Sequence, residues 1–501
     1  MIYIIGSGPS AIAALIACLN QQKEVTLLDL GFTPDSAFQQ HAQRPYNKNN
    51  FPQKTTHGSD YPYWSPPNFS YLVKNPEGIL SSFARGGFST VWGAGILPYL
   101  PQEFTNWPIN FQDLQPYYQK LHTFLPITGQ PDLLKEDFSL FSQNPYPINS
   151  SSQFEKVFQS VHQYQNKLTE KGIFVGKSRL AIQQHPQSCI YCGQCIEGCP
   201  DQLIYSSSHT LEQALTSPLV TYLPGRKVEK FQSISDGIEI EAFNLQTNQP
   251  EKFHAEKIFL GAGVLSSTQI MMRSLNAYGK TLSIKDSQYF LFPMLGPYAS
   301  GVLNEKLLTL SQAFLEIMNP EIYSQRIHLS LYGFSPFLKD YVYQKFGFLS
   351  QLVKPFLNYG IKRTFIAQGF LPSSESNEIH ISLSKSEKDE FLITPNHSQK
   401  VRKKILNLVK KLNQFRRETR LFGLSPLLNI APIGKSFHLG GSFPMRKKPQ
   451  SEFETNALGE SLALPNVHLI DSSVFPDIAS GPITYTMMAN AYRIASEALN
   501  K

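Results

Sequence analysis

The stretch MIYIIGSGPSAIAALIACLNQQKEVTLLDL at the amino terminus constrains the fold more than any other part of the chain. Ile2 to Ile5 are an apolar run without a charge, the pattern of a parallel strand buried on both faces. Gly6, Gly8 and Ala11 fill the three small positions of a GxGxxA turn, and Ser10 joins them as a cofactor-binding residue. In such a turn the first glycine permits a tight reversal and the second lets backbone N–H groups approach a pyrophosphate. The third small residue lets the following helix sit close on the sheet. A phosphate placed there meets the positive end of a helix. Ile12, Leu15, Ile16 and Leu19 follow at helical spacing, and Val25 to Leu28 form a second strand ending on Asp29. An acid about twenty residues beyond the turn is placed to take the hydroxyls of an adenosine ribose. A tight turn alone would explain the glycines but not the coincidence of all three small positions with the acid. The stretch therefore reads as a dinucleotide site in a doubly wound α/β fold.

Two later stretches repeat this theme. SSFARGGFSTVWGAG, Ser81 to Gly95, sets Gly86, Gly87, Gly93 and Gly95 around Phe88, Val91 and Trp92, with Ser89 and Thr90 as donors. Glycines this dense suit backbone passing close to a large planar or phosphorylated ligand. Lys257 to Leu260 followed by GAGVLSSTQIMMRSL is again apolar strand, glycine turn and helix, which puts Gly261 and Gly263 under the same dinucleotide. Between the amino-terminal unit and the second stretch, residues 32–80 have little periodicity and read as a long irregular excursion that covers a ligand. Helices are expected over 109–125, 152–172 and 208–215, and short strands over 220–223 and 228–231.

A chain of 501 residues is too long for one ordinary core, so two domains are expected. The net charge of +7 is modest, and the basic residues are dispersed apart from KVRKK and RRETR, which read as solvated helix faces. Nucleic acid is not implied. The glycine turn at residue six leaves no room in this sequence for a signal peptide, and no apolar stretch is long enough to cross a bilayer. A cytoplasmic protein that can touch the inner face of a membrane is the expectation.

Four of the five cysteines lie together: Cys189, Cys192, Cys195 and Cys199, followed by Pro200, spell CxxCxxCxxxCP. This is the bacterial ferredoxin run, whose thiolates wrap an iron–sulfur cluster. In two-cluster ferredoxins the fourth cysteine serves the other cluster, and no second run exists here. The loop would thus hold a 4Fe-4S cluster by adjusted geometry, or a 3Fe-4S cluster. A structural zinc site is the competing reading, and a loop without metal is the bland one.

Near the carboxyl terminus, SFHLGGSFPM places His438 in a glycine-rich loop, where a histidine is more often exposed for work than buried for packing. Val467 to Ile470 form a strand ending at Asp471, and Thr484 to Ala495 a helix whose amino terminus points back toward that strand end, where ligands of open α/β sheets gather. Five separated motifs, namely the GxGxxA turn with Asp29, the Gly86 to Gly95 stretch, GAGVLSST, HLGGSFPM and DSSVFP, occur in the order found in the glucose-methanol-choline (GMC) oxidoreductases. The chain resembles that family of FAD enzymes over nearly its whole length, and the cysteine run is reminiscent of members that relay electrons through an iron–sulfur cluster.

The resemblance implies FAD as the cofactor. It implies that His438 takes the substrate hydroxyl proton while hydride leaves carbon for the flavin. Asp471 and Ser472 match the segment that approaches the flavin, Thr484 opens the final helix, and the backbone of Val228 meets the adenine. The fold implied is α/β (α+β overall): a Rossmann-like FAD-binding domain assembled from 1–125, 185–275 and 430–501, with the cysteine-rich loop at 186–200. A substrate-binding domain on a mostly antiparallel sheet takes 126–184 and 276–429. One departure stands out: where the family usually carries Asn or His shortly before the final helix, this chain has Ser480, whose hydroxyl is shorter. The second polar contact to the substrate oxygen is therefore weakened or comes from elsewhere.

The leading expectation is an FAD-dependent dehydrogenase that oxidises a hydroxyl of a sugar-like or other alcohol substrate and passes electrons to an unidentified acceptor through the cluster. A flavin-containing lyase or isomerase without net oxidation, and a non-catalytic electron-transfer component, are the alternatives. The Leu329 to Arg363 segment, dense in Phe and Tyr with interspersed Lys, reads as the wall and lid of the substrate pocket. Its sharper reading is a peripheral membrane surface that admits a lipid-linked substrate.

Overall fold

The computed structural model describes residues 1–33, 73–74, 79–134, 138–141, 146–184, 188–195, 199–299, 307–333, 353–384, 391–396 and 401–500, with single positions at 339, 343, 347 and 351. Most of the excursion at 32–80 and of the aromatic lid at 334–352 lies outside the described residues.

Ile2–Ile5 is the middle strand of a five-stranded parallel sheet, as its unbroken apolar run requires. Val25–Asp29 and then Val220–Pro224 lie on one side of it, and Lys257–Leu260 and then Val467–Leu469 on the other. Ile4, Leu27, Leu28, Phe259, Leu260 and Leu469 are wholly buried there. Pro9–Leu19, with Pro9 at its first position, runs beside the last helix, Thr484–Ala498, and Asn20 at its end donates to the Tyr492 hydroxyl at 2.6 Å. Strands drawn from residues 2, 25, 220, 257 and 467 onward thus close one doubly wound unit.

The second layer system is antiparallel throughout its main sheet. Its strands run in the order Phe422–Gly423, Tyr289–Leu295, Thr364–Phe370, Ile327–Tyr332, Ala313–Ile317 and Ile173–Lys177, with Asn429–Ile430 pairing beside Tyr289–Leu295. This sheet has its own core, in which Phe290, Phe292, Leu329 and Phe365 are fully buried. A smaller sheet built on Thr281–Asp286 and Glu378–Leu383 carries Leu439–Gly440 at one edge, and so anchors the loop that holds His438. Arg226–Ile234, Gly237–Asn244 and Gln249–Ala255 form a three-stranded meander.

Two expected elements differ. The helix expected over 152–172 is two, Ser152–Gln163 and Gln165–Glu170, because Tyr164 takes φ −108° and ψ 17° and breaks the ladder between them. The short strand at 228–231 is the centre of the nine-residue Arg226–Ile234, whose exposed polar ends hide its length from an apolar-run criterion. Val401–Leu412 turns Val401, Ile405, Leu408, Val409 and Leu412 inward, and Arg402 and Lys403 of the basic run are exposed on the other side of this amphipathic helix. Among the described residues no helix is long and apolar enough to cross a membrane.

Candidate active site

A cavity of about 310 Å³ runs along the carboxyl ends of the parallel strands and crosses to the antiparallel sheet. One end is lined by Asp29, Arg226 and Val228, the middle by Gly6, Gly8 and Ser10, and the far end by Phe370 and His438. Ligands of open α/β sheets bind in this position, outside the strand ends.

The glycine turn is built for close approach. Gly6 has φ +102°, and a Cβ on it would lie 2.6 Å from the Gly261 carbonyl oxygen, so the first and third glycine stretches meet where only glycine fits. Gly87, with φ +59°, passes 3.2 Å from the Gly8 Cα measured from where its own Cβ would be. Gly8 is different: a Cβ there would have no atom within 4 Å, and the open space belongs to the cavity. The start of the Pro9–Leu19 helix, with its free backbone N–H groups, therefore borders the open side of Gly8.

Asp29 sits at the end of its strand, almost fully buried, with its carboxylate accepting from Ser7 Oγ and from the Tyr222 hydroxyl at 3.0 Å. Burial pushes its carboxyl up to about 6, and the bonds from Ser7 and Tyr222 offset only part of that push.

Ser89, Trp92, Gly93, Gly261, Gly263, Asp471, Ser472 and Thr484 also line the cavity. Several of their side chains are occupied inward. Ser89 Oγ donates to Gly86 O at 2.6 Å, and Trp92 Nε1 donates to Tyr205 O at 2.7 Å. Asp471 accepts from Ser267 Oγ at 2.5 Å and from Ser473 N at 2.9 Å, so it ties two elements together and offers backbone to the cavity. Two expected residues stand behind the lining. Ala11 is wholly buried under its helix, and Gly86, with φ +92°, packs its Cα face on Ser206 and Ser208.

His438 is set by a buried carboxylate. Asp286 accepts from Ser436 Oγ at 2.5 Å and from Gly434 N at 2.9 Å, while Ser436 Oγ accepts from His438 N at 2.9 Å. Phe437 takes φ +57°, a conformation costly for a bulky side chain and common at functional sites. The imidazole stacks on Phe370 with ring centres 4.4 Å apart, and its Nδ1 is buried without a hydrogen-bond partner. Burial, reinforced by repulsion from His328 whenever that ring carries a proton, pushes its pKa down to about 3, so the ring is neutral at any physiological pH. The ring's remaining surface faces the cavity and not bulk water, which is why a half-exposed histidine behaves as an interior one.

Ser480 does not reach the cavity: it is wholly buried and donates to Arg326 O at 2.8 Å. The polar groups that face His438 come instead from the antiparallel sheet, through His328, Ser330, Tyr332 and Gln368. The signal for three of them was the period-two spacing in IHLSLY, which puts His328, Ser330 and Tyr332 on one face of a strand. His468 lies in the parallel sheet with Nδ1 2.9 Å from Leu458 O, a core position.

The cysteine loop packs Cys189, Cys195 and Cys199 against the main hydrophobic core. Tyr191 N donates to Cys189 Sγ and Leu203 N to Cys199 Sγ, each at 3.4 Å, and Cys195 is raised by burial with further contributions from Cys192 and Cys199. Yet among the described residues, which include all four thiols, no group of three or more His, Cys, Asp or Glu could hold a metal ion. Cys192, Cys195 and Cys199 each act electrostatically on Cys189, so the four thiols share one neighbourhood.

No protein-family model matches the chain, and no curated protein matches it in sequence. Solved structures do match. The chain is similar to pyridoxine 4-oxidase from Mesorbium loti, with a TM-score of 0.65 at 14% identity, covering 100% of this chain and 99% of that one. It is also similar to an FAD-dependent oxidoreductase from Chaetomium thermophilum, with a TM-score of 0.62 at 13% identity, covering 100% and 99%. At this identity the likeness is one of fold.

Proposed function

We propose that the chain is an FAD-dependent oxidoreductase of the GMC type that oxidises a hydroxyl group of a small alcohol or sugar-like substrate. The observation that carries the reading is the continuity of one cavity from the Asp29 and Val228 end, past the open side of Gly8, to the unpartnered imidazole of His438. The fold shared with two solved oxidoreductases, one of them named for FAD and the other for oxidation of pyridoxine, supports it. When bound, FAD supplies an acceptor for hydride from the carbon that bears the hydroxyl, and it can give up its electrons singly.

The residues of the chain do the rest. Gly6, Gly8 and the start of the Pro9–Leu19 helix would hold the pyrophosphate, Asp29 the ribose, and Val228 the adenine. Asp286 and Ser436 hold the His438 loop rigid, and Phe370 holds the ring plane. His438 lines the far end of the cavity as a neutral imidazole, where it can hydrogen-bond the substrate oxygen. Phe88, Phe437 and Trp92 make the cavity lining partly aromatic.

Electron exit through Cys189, Cys192, Cys195 and Cys199 has the sequence spacing in its favour and the placement of the thiols against it. Iron and acid-labile sulfide analysis of anaerobically purified protein decides between them. A lipid-linked substrate is favoured by the Lys354–Ile361 helix, where Phe356 and Tyr359 are 81% and 64% exposed beside Arg363. Cosedimentation with anionic vesicles tests it, and no binding at low salt removes it. For the central reading, the test is anaerobic bleaching of the flavin by a panel of primary and secondary alcohols. Bleaching is the expected result; flavin that stays oxidised with every alcohol returns the lyase or electron-transfer alternatives.

A further inference from the structure

The strand Ile327–Tyr332 carries a chain of hydrogen-bonded side chains into the cavity opposite His438. His328 and Ser330 lie two residues apart on one face, and the antiparallel register sets Glu316 directly across from His328. His328 Nδ1 is 2.6 Å from Glu316 Oε1, and His328 Nε2 is 2.9 Å from Ser330 Oγ. The other carboxylate oxygen accepts from Arg326 Nε at 2.8 Å, and Arg326 NH1 in turn donates to Glu103 at 3.0 Å. Glu316 and His328 are both wholly buried, yet His328 and Ser330 reach the cavity wall.

The hydrogen positions follow from the carboxylate. Burial pushes the Glu316 carboxyl up, but Arg326 and His328 outweigh it and bring it to about 2, so it is ionised and can only accept. His328 Nδ1 must then carry the hydrogen. In a neutral ring this leaves Nε2 as a lone pair that accepts from the Ser330 hydroxyl, and Ser330 Oγ keeps lone pairs of its own for a further donor. His438 has no comparable anchor, since its Nδ1 has no partner and nothing fixes which nitrogen is protonated. A buried His–carboxylate pair stabilises an imidazolium; a desolvated histidine without one does not. The charged or titratable groups facing His328 are Glu316 across the ladder with Arg326 behind it, and His438 from the opposite loop. The adjoining Thr364–Phe370 strand brings only Gln368 and Phe370 to this face.

We propose that Ser330, His328 and Glu316 form a proton relay that takes the substrate hydroxyl proton, with Arg326 as the residue that positions the carboxylate. The proposal rests on the alcohol-oxidising reading above. In the step it describes, the substrate O–H bond breaks and its proton joins Ser330 Oγ, while the proton of Ser330 passes to His328 Nε2. The hydrogen on the alcohol carbon leaves with its bonding pair as the carbon becomes a carbonyl, and FAD, when bound, would supply the acceptor for that pair. One proton and two electrons with the second hydrogen nucleus are thereby accounted for, and the imidazolium rests against the Glu316 carboxylate.

Two measurements test the relay, and one needs no substrate. In the purified full-length chain labelled with 15N-histidine, long-range 1H–15N correlations distinguish the ring tautomers. The signal lost in His328→Asn should be a neutral ring with its hydrogen on Nδ1, and Glu316→Gln should abolish that preference. A His328 ring with its hydrogen on Nε2, or with both nitrogens protonated, cannot accept from Ser330 and would overturn the relay. Secondly, with an alcohol that bleaches the flavin of the unmodified protein, His328→Asn should slow anaerobic reduction about 10²–10⁴-fold. Ser330→Ala, which removes one hydroxyl and keeps the test usable if His328→Asn fails to fold, should slow it roughly tenfold or more without moving the half-saturating alcohol concentration. Rates for both variants within a factor of about two of the unmodified protein, at full flavin content, would overturn the proposal. If no alcohol bleaches the flavin, the oxidoreductase reading fails, and the tautomer measurement still decides whether the chain of hydrogen bonds is poised to accept a proton.

Discussion

Gly8→Ala should separate cofactor binding from folding. Gly8 precedes the first helix with φ −69° and ψ 178°, angles open to any residue, and its missing Cβ would point into space free of atoms to 4 Å. The cofactor-free protein should therefore lose nothing; replacing glycine at a compatible position stabilises by roughly 0.4–1 kcal/mol through the unfolded chain. The methyl group instead stands where the pyrophosphate must approach the backbone. Loss of one hydrogen bond to a charged phosphate, about 1.5–3 kcal/mol, corresponds to roughly 10- to 150-fold weaker FAD binding. Gly6→Ala is the contrast: at φ +102° with its Cβ 2.6 Å from the Gly261 oxygen, it strains the fold itself by about 1–2 kcal/mol before any clash is counted. Thermal melting of both cofactor-free variants, with titration of FAD fluorescence, reads the two effects separately. A Gly8→Ala protein that binds FAD as tightly as the unmodified chain would refute the reasoning.

Four further outcomes are expected. FAD affinity should fall as pH drops through about 6, because Asp29 then takes a proton and can no longer accept from a ribose hydroxyl; Asp29→Asn should flatten that dependence in binding titrations. The raised carboxyls of Asp29 and Asp286 give the opposite sign for cofactor-free stability. Each is pushed up to about 6, so its contribution is fully present below its unfolded pKa, near 3.8, and is lost as pH rises through about 6; Asp286→Asn should remove its share of that loss in melts taken between those values. Ser436→Ala deletes the hydroxyl that Asp286 and the His438 amide share, and should cost about 1–3 kcal/mol in denaturant unfolding while slowing flavin reduction. Ile4→Ala, in the wholly buried middle strand, should cost about 2–5 kcal/mol in the same assay.

The nucleotide half of the site was legible because its signals are local. Gly6, Gly8, the helix after them and Asp29 lie within one βαβ unit; Gly6 answers a backbone constraint that only glycine meets, and Gly8 leaves open space at the cavity. His438 was legible for the same reason, as a histidine among loop glycines. The opposing wall was not. Glu316, His328 and Gln368 are brought together by antiparallel pairing between strands that the sequence does not show to be neighbours, and IHLSLY hides its polar face inside an apolar run. Ser480 aligned with a functional slot, but it is spent on the Arg326 carbonyl. Ala11 and Gly86, expected to bind the cofactor, instead pack behind the cavity lining. The cysteine run is legible as a cluster, since Cys192, Cys195 and Cys199 all act electrostatically on Cys189, but spacing along the chain does not say whether the thiols reach ligand geometry.

The account depends on a flavin lying along the parallel strand ends with its ring against His438. A crystal structure of the full chain grown with FAD measures this most directly. The expected result is the pyrophosphate over Gly8 and the isoalloxazine in van der Waals contact with the His438 ring, between it and the Gly87 to Gly93 stretch. FAD absent from that cavity, or bound with its ring at the Asp29 end, would contradict the account.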